Sequence, residues 1–564
     1  MPTSTFVPAI LDATQWENLQ PLYQALLARP LKCENCLEEL LLDRSELDAA
    51  ANEAQSVLYI NMTCHTDDEA AKNAYLHFVE HVEPELKKIS FELDKKIVAS
   101  PHAAKLNQHR YAVLLRNLKA DVDLFRDENI PLQTEETKLA QQYEEICGAM
   151  TVNFRGEEKT LPQMGRFLEE TDRATREEAW QLVAQRRYQD REKLDDIFDQ
   201  MIKLRHQMAL NAGFKNYIEY SFKRKHRFDY TPADCREFHR GAEEVCVPVY
   251  RQLNAERRAA LQVDQLRPWD LGVDIKGRPP LRPFEKAGDL VEKTSKLFHR
   301  MDRSLGQMFD SLRGGDCLDL ESRKGKAPGG YQSNRDRMRK PFIFMNAAGL
   351  QRDLETMVHE AGHAFHSMLC NDEPIVDYRH SPLEFAEVAS MSMELLCFPY
   401  LGEFYNEVDA GRARRGHLED LAKMIPWIAT IDAFQHWIYL NPNHTRGQRT
   451  AQWLELDRRF GASVDWTGLE QYRQSLWQRQ LHPFTVPLYY IEYGIAQLGA
   501  LQLWLQARRN QGKAIENYRK ALSLGGSRPL PELFGAAELK FDFGPGTMRR
   551  LMAEVQGELK KLPA

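Results

Sequence analysis

The chain lacks any run of about 18 consecutive apolar residues, the length a membrane-crossing helix requires. Its opening stretch MPTSTFVPAILDATQWENLQ has no basic segment followed by an apolar one. A soluble protein that is not exported by the usual route is expected, with the cytoplasm as its compartment and no membrane as partner. Positive charge is also in short supply: 75 lysines and arginines stand against 82 aspartates and glutamates, a formal net charge of -7. Basic residues are interleaved with acids, as in QRRYQDREKLDD, so no nucleic acid partner is expected. Cysteine is scarce, nine residues in 564 with no framework spacing, which suits a reducing compartment. The one close pair, Cys33 and Cys36 in LKCENCLEELL, has the spacing of half a zinc knuckle or a redox motif. No second pair follows and a helical run comes next, so two ordinary thiols are expected. There is no repeat of fixed period and no low-complexity tract.

What is present is mostly helical periodicity. With 43% hydrophobic residues the chain can bury one large core or several domains. SELDAAANEAQSVLYINM, DDEAAKNAYLHFVEHVEPELKKISFELDKKIVA, ETKLAQQYEEICGAM and REEAWQLVAQRRYQDREKLDDIFDQMIKLRHQMALNAG carry apolar residues three and four apart for many turns, and each predicts a long packed helix. TVNFRGEEKTL alternates about a turn at Gly156 and predicts a hairpin. Proline and glycine concentrate in DQLRPWDLGVDIKGRPPLR and again in GGDCLDLESRKGKAPGGYQSNRDRMRKPFIFMNAAG, where the backbone should be irregular. Within the latter, KPFIFMN is a short apolar run that predicts a strand leading into the next helix.

That helix holds MVHEAGHAFHSML. His359 and His363 lie four residues apart, so both project from one face and can bind one ion, while Glu360 is turned aside, near the ion without ligating it. This H-E-x-x-H pattern suits zinc, which makes water acidic when an open position remains and needs a nearby carboxylate to take the proton. Glu360 is the candidate base. His366 returns to the same face, but at 1.5 Å rise per residue it stands roughly 10 Å from His359 along the axis, too far to share an ion. It is expected near the site or in packing. The metzincin extension, with glycine at 366 and histidine at 369, is absent. A third ligand should follow in SPLEFAEVASMSMELLCF, where Glu384, Glu387 and Glu394 sit among apolar residues; a solvated helix edge is the other reading of Glu384 and Glu394. Glu355, one turn before His359, is a candidate to hydrogen bond a liganding imidazole.

The segments DLESRKGKAPGGYQ, PFIFMN, LETMVHEAGHAFHSM, EFAEVASMSMELL and LHPFTVPLYYIEYGIAQLGALQLW, in this order over about residues 319–504, resemble oligoendopeptidase F of the thimet oligopeptidase-like zinc metallopeptidases. That resemblance implies a mostly helical ellipsoid with a deep substrate channel, a small hairpin and a short sheet beside the zinc helix. It implies Glu387 as the third ligand of one zinc ion per chain, and His482 with Tyr490 and Tyr493 as groups that steady the oxyanion, Tyr489 lying beside them. Residues 1–200 would form a helical channel wall and residues 201–564 the catalytic domain. The implied activity is hydrolysis of internal bonds in short, unstructured peptides. A peptide backbone would pair with the edge of the sheet near PFIFMN, and KAPGGYQSNRDR, with Gly329 and Gly330, would close over it. A peptidyl-dipeptidase or carboxypeptidase of the same chemistry is the alternative; an inactive helical peptide-binding protein is another. A monomer is the default.

Overall fold

Apolar spacing becomes helix along most of the chain. The computed structural model describes residues 6–314 and 316–562, which form a mostly helical body with two small sheets. Among these residues no helix is long and apolar enough to cross a membrane. Glu34–Cys64 buries Leu37, Leu40, Leu41 and Leu47 along one side. At its start Cys33 and Cys36 are joined in a disulfide, their Cα atoms 5.1 Å apart, which corrects the expectation of two ordinary thiols. Cys33 is the extended cap residue and Cys36 closes the first turn, so three-residue spacing brings the sulfurs together.

The long stretch from Glu69 to Val98 is helical throughout but passes through a π turn at Phe78–Val82. Pro84 follows that turn and has no N–H to return to it, so the extra residue is absorbed there. The REEAWQ stretch breaks at Asp190 into Arg173–Gln189 and Arg191–Asn211. The hairpin forms as expected: β1 (Thr151–Phe154) pairs antiparallel with β2 (Glu157–Thr160). Arg155 and Gly156 make the two-residue turn with φ of 55° and 88°, the left-handed pair such turns require.

The second sheet orders β3 (Leu318–Glu321), β5 (Lys340–Ala347) and β4 (Tyr331–Arg335), with β5 in the middle, parallel to β3 and antiparallel to β4. KPFIFMN is therefore a strand, yet not an edge: its main chain is engaged on both sides, and β3 and β4 are the edge strands, β4 being the one that lines the cavity described below. Of the segment read as a closing loop, KAPGGYQSNRDR, the residues Tyr331–Arg335 are strand β4. The buried Lys326 amine ties the sheet together, reaching Asp319 Oδ1 at 2.9 Å, the carbonyls of Asp319 and Glu321, and that of Met345. Backbone bonds from Ala327 to Thr63 (2.8 Å) and from Thr66 to Gly325 (2.7 Å) sew the sheet to the end of the Glu34–Cys64 helix.

From β5 the chain turns through Gly349, φ 86°, into the histidine helix Gln351–Leu369. Asp353 fixes that turn by accepting from the N–H groups of Ala348 (2.7 Å) and Leu350 (2.9 Å). The histidine helix packs on the carboxylate helix Leu383–Leu396, which packs in turn on the tyrosine helix Tyr490–Arg509, and the long helix Glu407–Leu440 supports them. The first crossing is tight because residue 362 is glycine: a Cβ there would stand 2.6 Å from Ser390 Cα and 2.7 Å from the Ala389 carbonyl oxygen. Both obstacles are backbone, so neither can rotate away. Gly362→Ala should cost about 1–3 kcal/mol by overpacking. Gly416→Ala, at a helical position whose Cβ meets nothing within 4 Å, should be neutral or stabilising. Thermal and urea unfolding of both variants check this; equal stability of the two would remove the close-packing account.

Candidate metal centre

The crossing at Gly362 sets Glu387 against the two histidines of the neighbouring helix. Glu387 Oε2 lies 3.3 Å from His359 Nε2 and 3.5 Å from His363 Nε2, and one ligand atom from each residue falls within 4.8 Å of the others. The space in front of them is roughly 590 Å³. Asn52–Tyr59 and Glu144 line one side, β4 another, and Leu481, His482, Tyr489 and Tyr493 a third.

Electrostatics around the trio favour a cation. Burial alone would drive Glu387 toward neutrality, but the facing His363 and His359 outweigh it and hold its carboxyl well below the usual range. Burial likewise opposes charge on His359, and Glu387 and Glu394 overcome it, pushing that imidazole well above its ordinary value. A field that retains a proton on a buried imidazole marks a place where positive charge is stabilised, which fits a metal with two imidazoles and a carboxylate as donors.

Outer contacts lock the donors. His359 Nδ1 is 2.6 Å from Glu394 Oε1, leaving Nε2 turned toward Glu387. Glu394 Oε2 continues to His417 Nε2 (3.3 Å), and His417 Nδ1 to Glu355 Oε1 (3.3 Å). Glu355 therefore does not touch a liganding imidazole; it stands one histidine further back, and Glu394 has the place expected of it. Nor do the other acids lie on a solvated edge: Glu384 is 3% exposed, bonded by Tyr230 Oη (2.6 Å) and paired with Arg227 Nε (3.3 Å). Ser390 Oγ and Tyr489 Oη donate to the two oxygens of Glu387 at 2.8 and 2.6 Å.

Glu360 is buried beside the trio, its Oε2 without a hydrogen-bond partner, and burial raises its pKa despite the pull of His359 and His363. Gly330 packs over it: a Cβ there would come 3.5 Å from Glu360 Oε1. His366 lines the cavity but lies outside the trio, and burial, aided by His363, pushes it down to about 3.

Across the cavity, His482 Nε2 is 2.9 Å from Tyr493 Oη. Burial lowers His482 to about 4, so its ring is neutral near pH 7, and Nδ1 has no partner. Tyr490 is not brought to the cavity. Its ring stands edge-on to His482, centroids 5.1 Å apart, and its hydroxyl takes the Gln480 amide. Tyr490 opens a helical turn, so the next side chain to share the cavity with Tyr489 is four residues on, at Tyr493.

Sequence reading missed the groups that hold this turn. Buried Arg205 donates to the carbonyls of Pro483 (2.7 Å) and Phe484 (2.6 Å) while pairing with Glu136 (2.6 Å). Leu488 adopts φ 58°, unusual for a leucine; Gln435 accepts from its N–H at 2.8 Å and Arg227 donates to its carbonyl at 2.7 Å. His417 was missed too. No spacing motif marks these residues, because each acts from a segment distant in sequence.

Two variants test the site. Glu394→Gln should weaken metal affinity by about 10–100-fold with the fold intact, measured by competition with a chromophoric chelator; unchanged affinity would deny Glu394 its role. His366 is protonated only in the unfolded chain between about pH 6.5 and 3. Its depressed folded value thus removes stability as pH falls through that window. His366→Gln should flatten the pH dependence of unfolding free energy by up to about 1.4 kcal/mol per pH unit below pH 6.5.

A family model described as Peptidase family M3 matches residues 166–544, and one described as Peptidase M3 N-terminal domain matches residues 8–125. The chain is 25% identical over 468 residues to an oligoendopeptidase F homolog of Borreliella burgdorferi, covering 78% of this chain and 75% of that protein. It is 26% identical over 304 residues to oligopeptidase PepF of Bacillus subtilis, covering 50% of this chain and 42% of the relative. The solved structure of a Pz peptidase A with an inhibitor superposes with a TM-score of 0.95 at 29% identity, covering 99% of both chains.

Proposed function

This chain belongs to peptidase family M3, and from that premise we propose that it is a zinc-dependent oligoendopeptidase cleaving internal bonds of short, unstructured peptides. The observation that carries this reading is the trio His359, His363 and Glu387 with the partnerless Glu360 oxygen beside it. His359, His363 and Glu387 would hold one zinc ion. When bound, zinc would supply Lewis acidity and make the attacking water acidic enough to deprotonate near neutral pH.

The chain's own residues do the rest. Glu360 accepts the water's proton at its free oxygen and hands it to the leaving amine; its raised pKa suits both transfers. Tyr489 has committed its only proton to Glu387, and an ionised carboxylate can only accept. It orients the ligand and does not stabilise the oxyanion. Tyr493 does, when neutral His482 donates from Nε2 to the phenol oxygen and frees the phenol hydrogen for the oxygen of the tetrahedral intermediate. Tyr490 steadies the His482 ring from its edge. The edge strand β4, whose residues Tyr331–Asn334 line the cavity, is placed to pair with an extended peptide backbone. Residues 1–200 act as a wall of the cavity, residues 201–564 carry the chemistry, and the chain acts as a cytoplasmic monomer.

The test is an internally quenched peptide blocked at both ends. Wild type should cleave it at an internal bond, lose activity on chelation and regain it with zinc. Glu360→Gln should keep its zinc and lose about 10²–10⁴ of turnover, and Tyr493→Phe should lose about 10²–10³ in kcat. Cleavage confined to free-ended peptides would favour the terminus-capturing alternative. Wild-type turnover by Glu360→Gln would end the mechanism.

A further inference from the structure

A second cluster of metal-binding side chains lies away from the cavity, where the helix Pro232–Gly241 packs on the long helix Glu407–Leu440. Cys235 and His239 are four residues apart on the first; Asp432 and His436 are four apart on the second. Each pair therefore shares one face, and the two faces meet. Cys235 and Asp432 are fully buried, His239 is 7% and His436 6% exposed. One ligand atom each from Cys235, Asp432 and His436 falls within 4.8 Å of the others. His239 Nε2 bonds Asp432 Oδ2 at 2.7 Å, and its ring centroid stands 5.8 Å from that of His436.

As a purely structural cluster this one is badly satisfied. His436 Nε2 stops 3.5 Å from Asp432 Oδ2 and makes no hydrogen bond, and Asp432 Oδ1 has no partner. Orphaned polar atoms in a protein interior are costly and rare. Both belong to residues already grouped around one point. A divalent cation there would use both orphans, and a thiolate with a carboxylate would neutralise its charge.

We propose that Cys235, Asp432 and His436 form a second, structural site for zinc, separate from the trio in the cavity, with His239 holding the Asp432 carboxylate from outside. Sulfur and imidazole donors select zinc over magnesium or calcium, and burial of all three donors keeps the cluster away from substrate. The site pins Pro232–Gly241 to the long helix. That helix carries Gln435, between Asp432 and His436, which holds the Leu488 N–H. The cation thereby braces the turn that presents His482 and Tyr489 from behind, while taking no part in the chemistry.

Cobalt(II) substitution of the full chain tests this, because only a thiolate ligand adds an intense near-ultraviolet charge-transfer band and the trio has none. Wild type should take up about two cobalt ions per chain and show the band. His359→Ala/His363→Ala should take up about one and keep it, which separates this site from the proposed catalytic one. Cys235→Ser should abolish the band; if that variant does not fold, His436→Gln, which leaves the cysteine in place, should lower the second uptake. Circular dichroism verifies folding. Uptake of about one ion by wild type without the band overturns the proposal. So does a band that survives Cys235→Ser, which would place the thiolate elsewhere, as at reduced Cys33 and Cys36.

Discussion

Backbone contact between two helices is the constraint on which the site rests. Where the histidine helix crosses the carboxylate helix, Gly362 leaves no side chain between them, and the distance from Glu387 to His359 and His363 follows from that approach. A wider crossing would need a longer acid or a bent helix to close the trio. The tyrosine helix also packs through glycines, but against side chains: Gly494 lies against the Phe238 ring, and Gly499 against Val388 and Phe534. Three helices are thus stacked with little slack, the first crossing set by main chain and the tyrosine helix seated on close-packed side chains.

Around this stack the charges are sorted. Carboxylates Glu387, Glu394 and Glu355 alternate with His359 and His417 on the metal side, each acid facing an imidazole. Across the cavity His482 is uncharged, and no acid hydrogen bonds to its ring nitrogens. The asymmetry has a use. Under the proposed function, a negative field would hold the cation in place, while the opposite wall would offer neutral donors able to approach a developing oxyanion without first having formed an ion pair.

Helical class, the hairpin at Gly156, the strand KPFIFMN and the histidine helix were legible from sequence, since each writes its period or its turn into adjacent residues. His359, His363 and Glu360 were legible for the same reason: one helix carries them at fixed offsets. Glu387 was one of three acids by pattern, and singling it out took family resemblance. What stayed hidden depends on registration between distant segments. Sheet order decided that β4, not β5, is the edge at the cavity. The rotation of the tyrosine helix turned Tyr490 away from the cavity. Glu394 displaced Glu355 because His359 turns its Nδ1 toward the helix across from it, which no property of its own helix reveals. Arg205, Gln435 and His417 came into view only in three dimensions.

The free edge of β4 has a bearing on which substrates can be used. A strand edge reads main-chain N–H and C=O groups and is nearly blind to side chains, so under the proposed function selection operates on conformation more than on composition. A peptide must arrive already extended, and every residue it straightens gives up backbone entropy of about 1–2 kcal/mol. Segments held in helices or closed by cross-links are excluded by that cost. A proline facing the edge is excluded for lack of a donor. The enzyme would then stand late in the breakdown of proteins, receiving fragments that other proteolytic steps have already freed from structure.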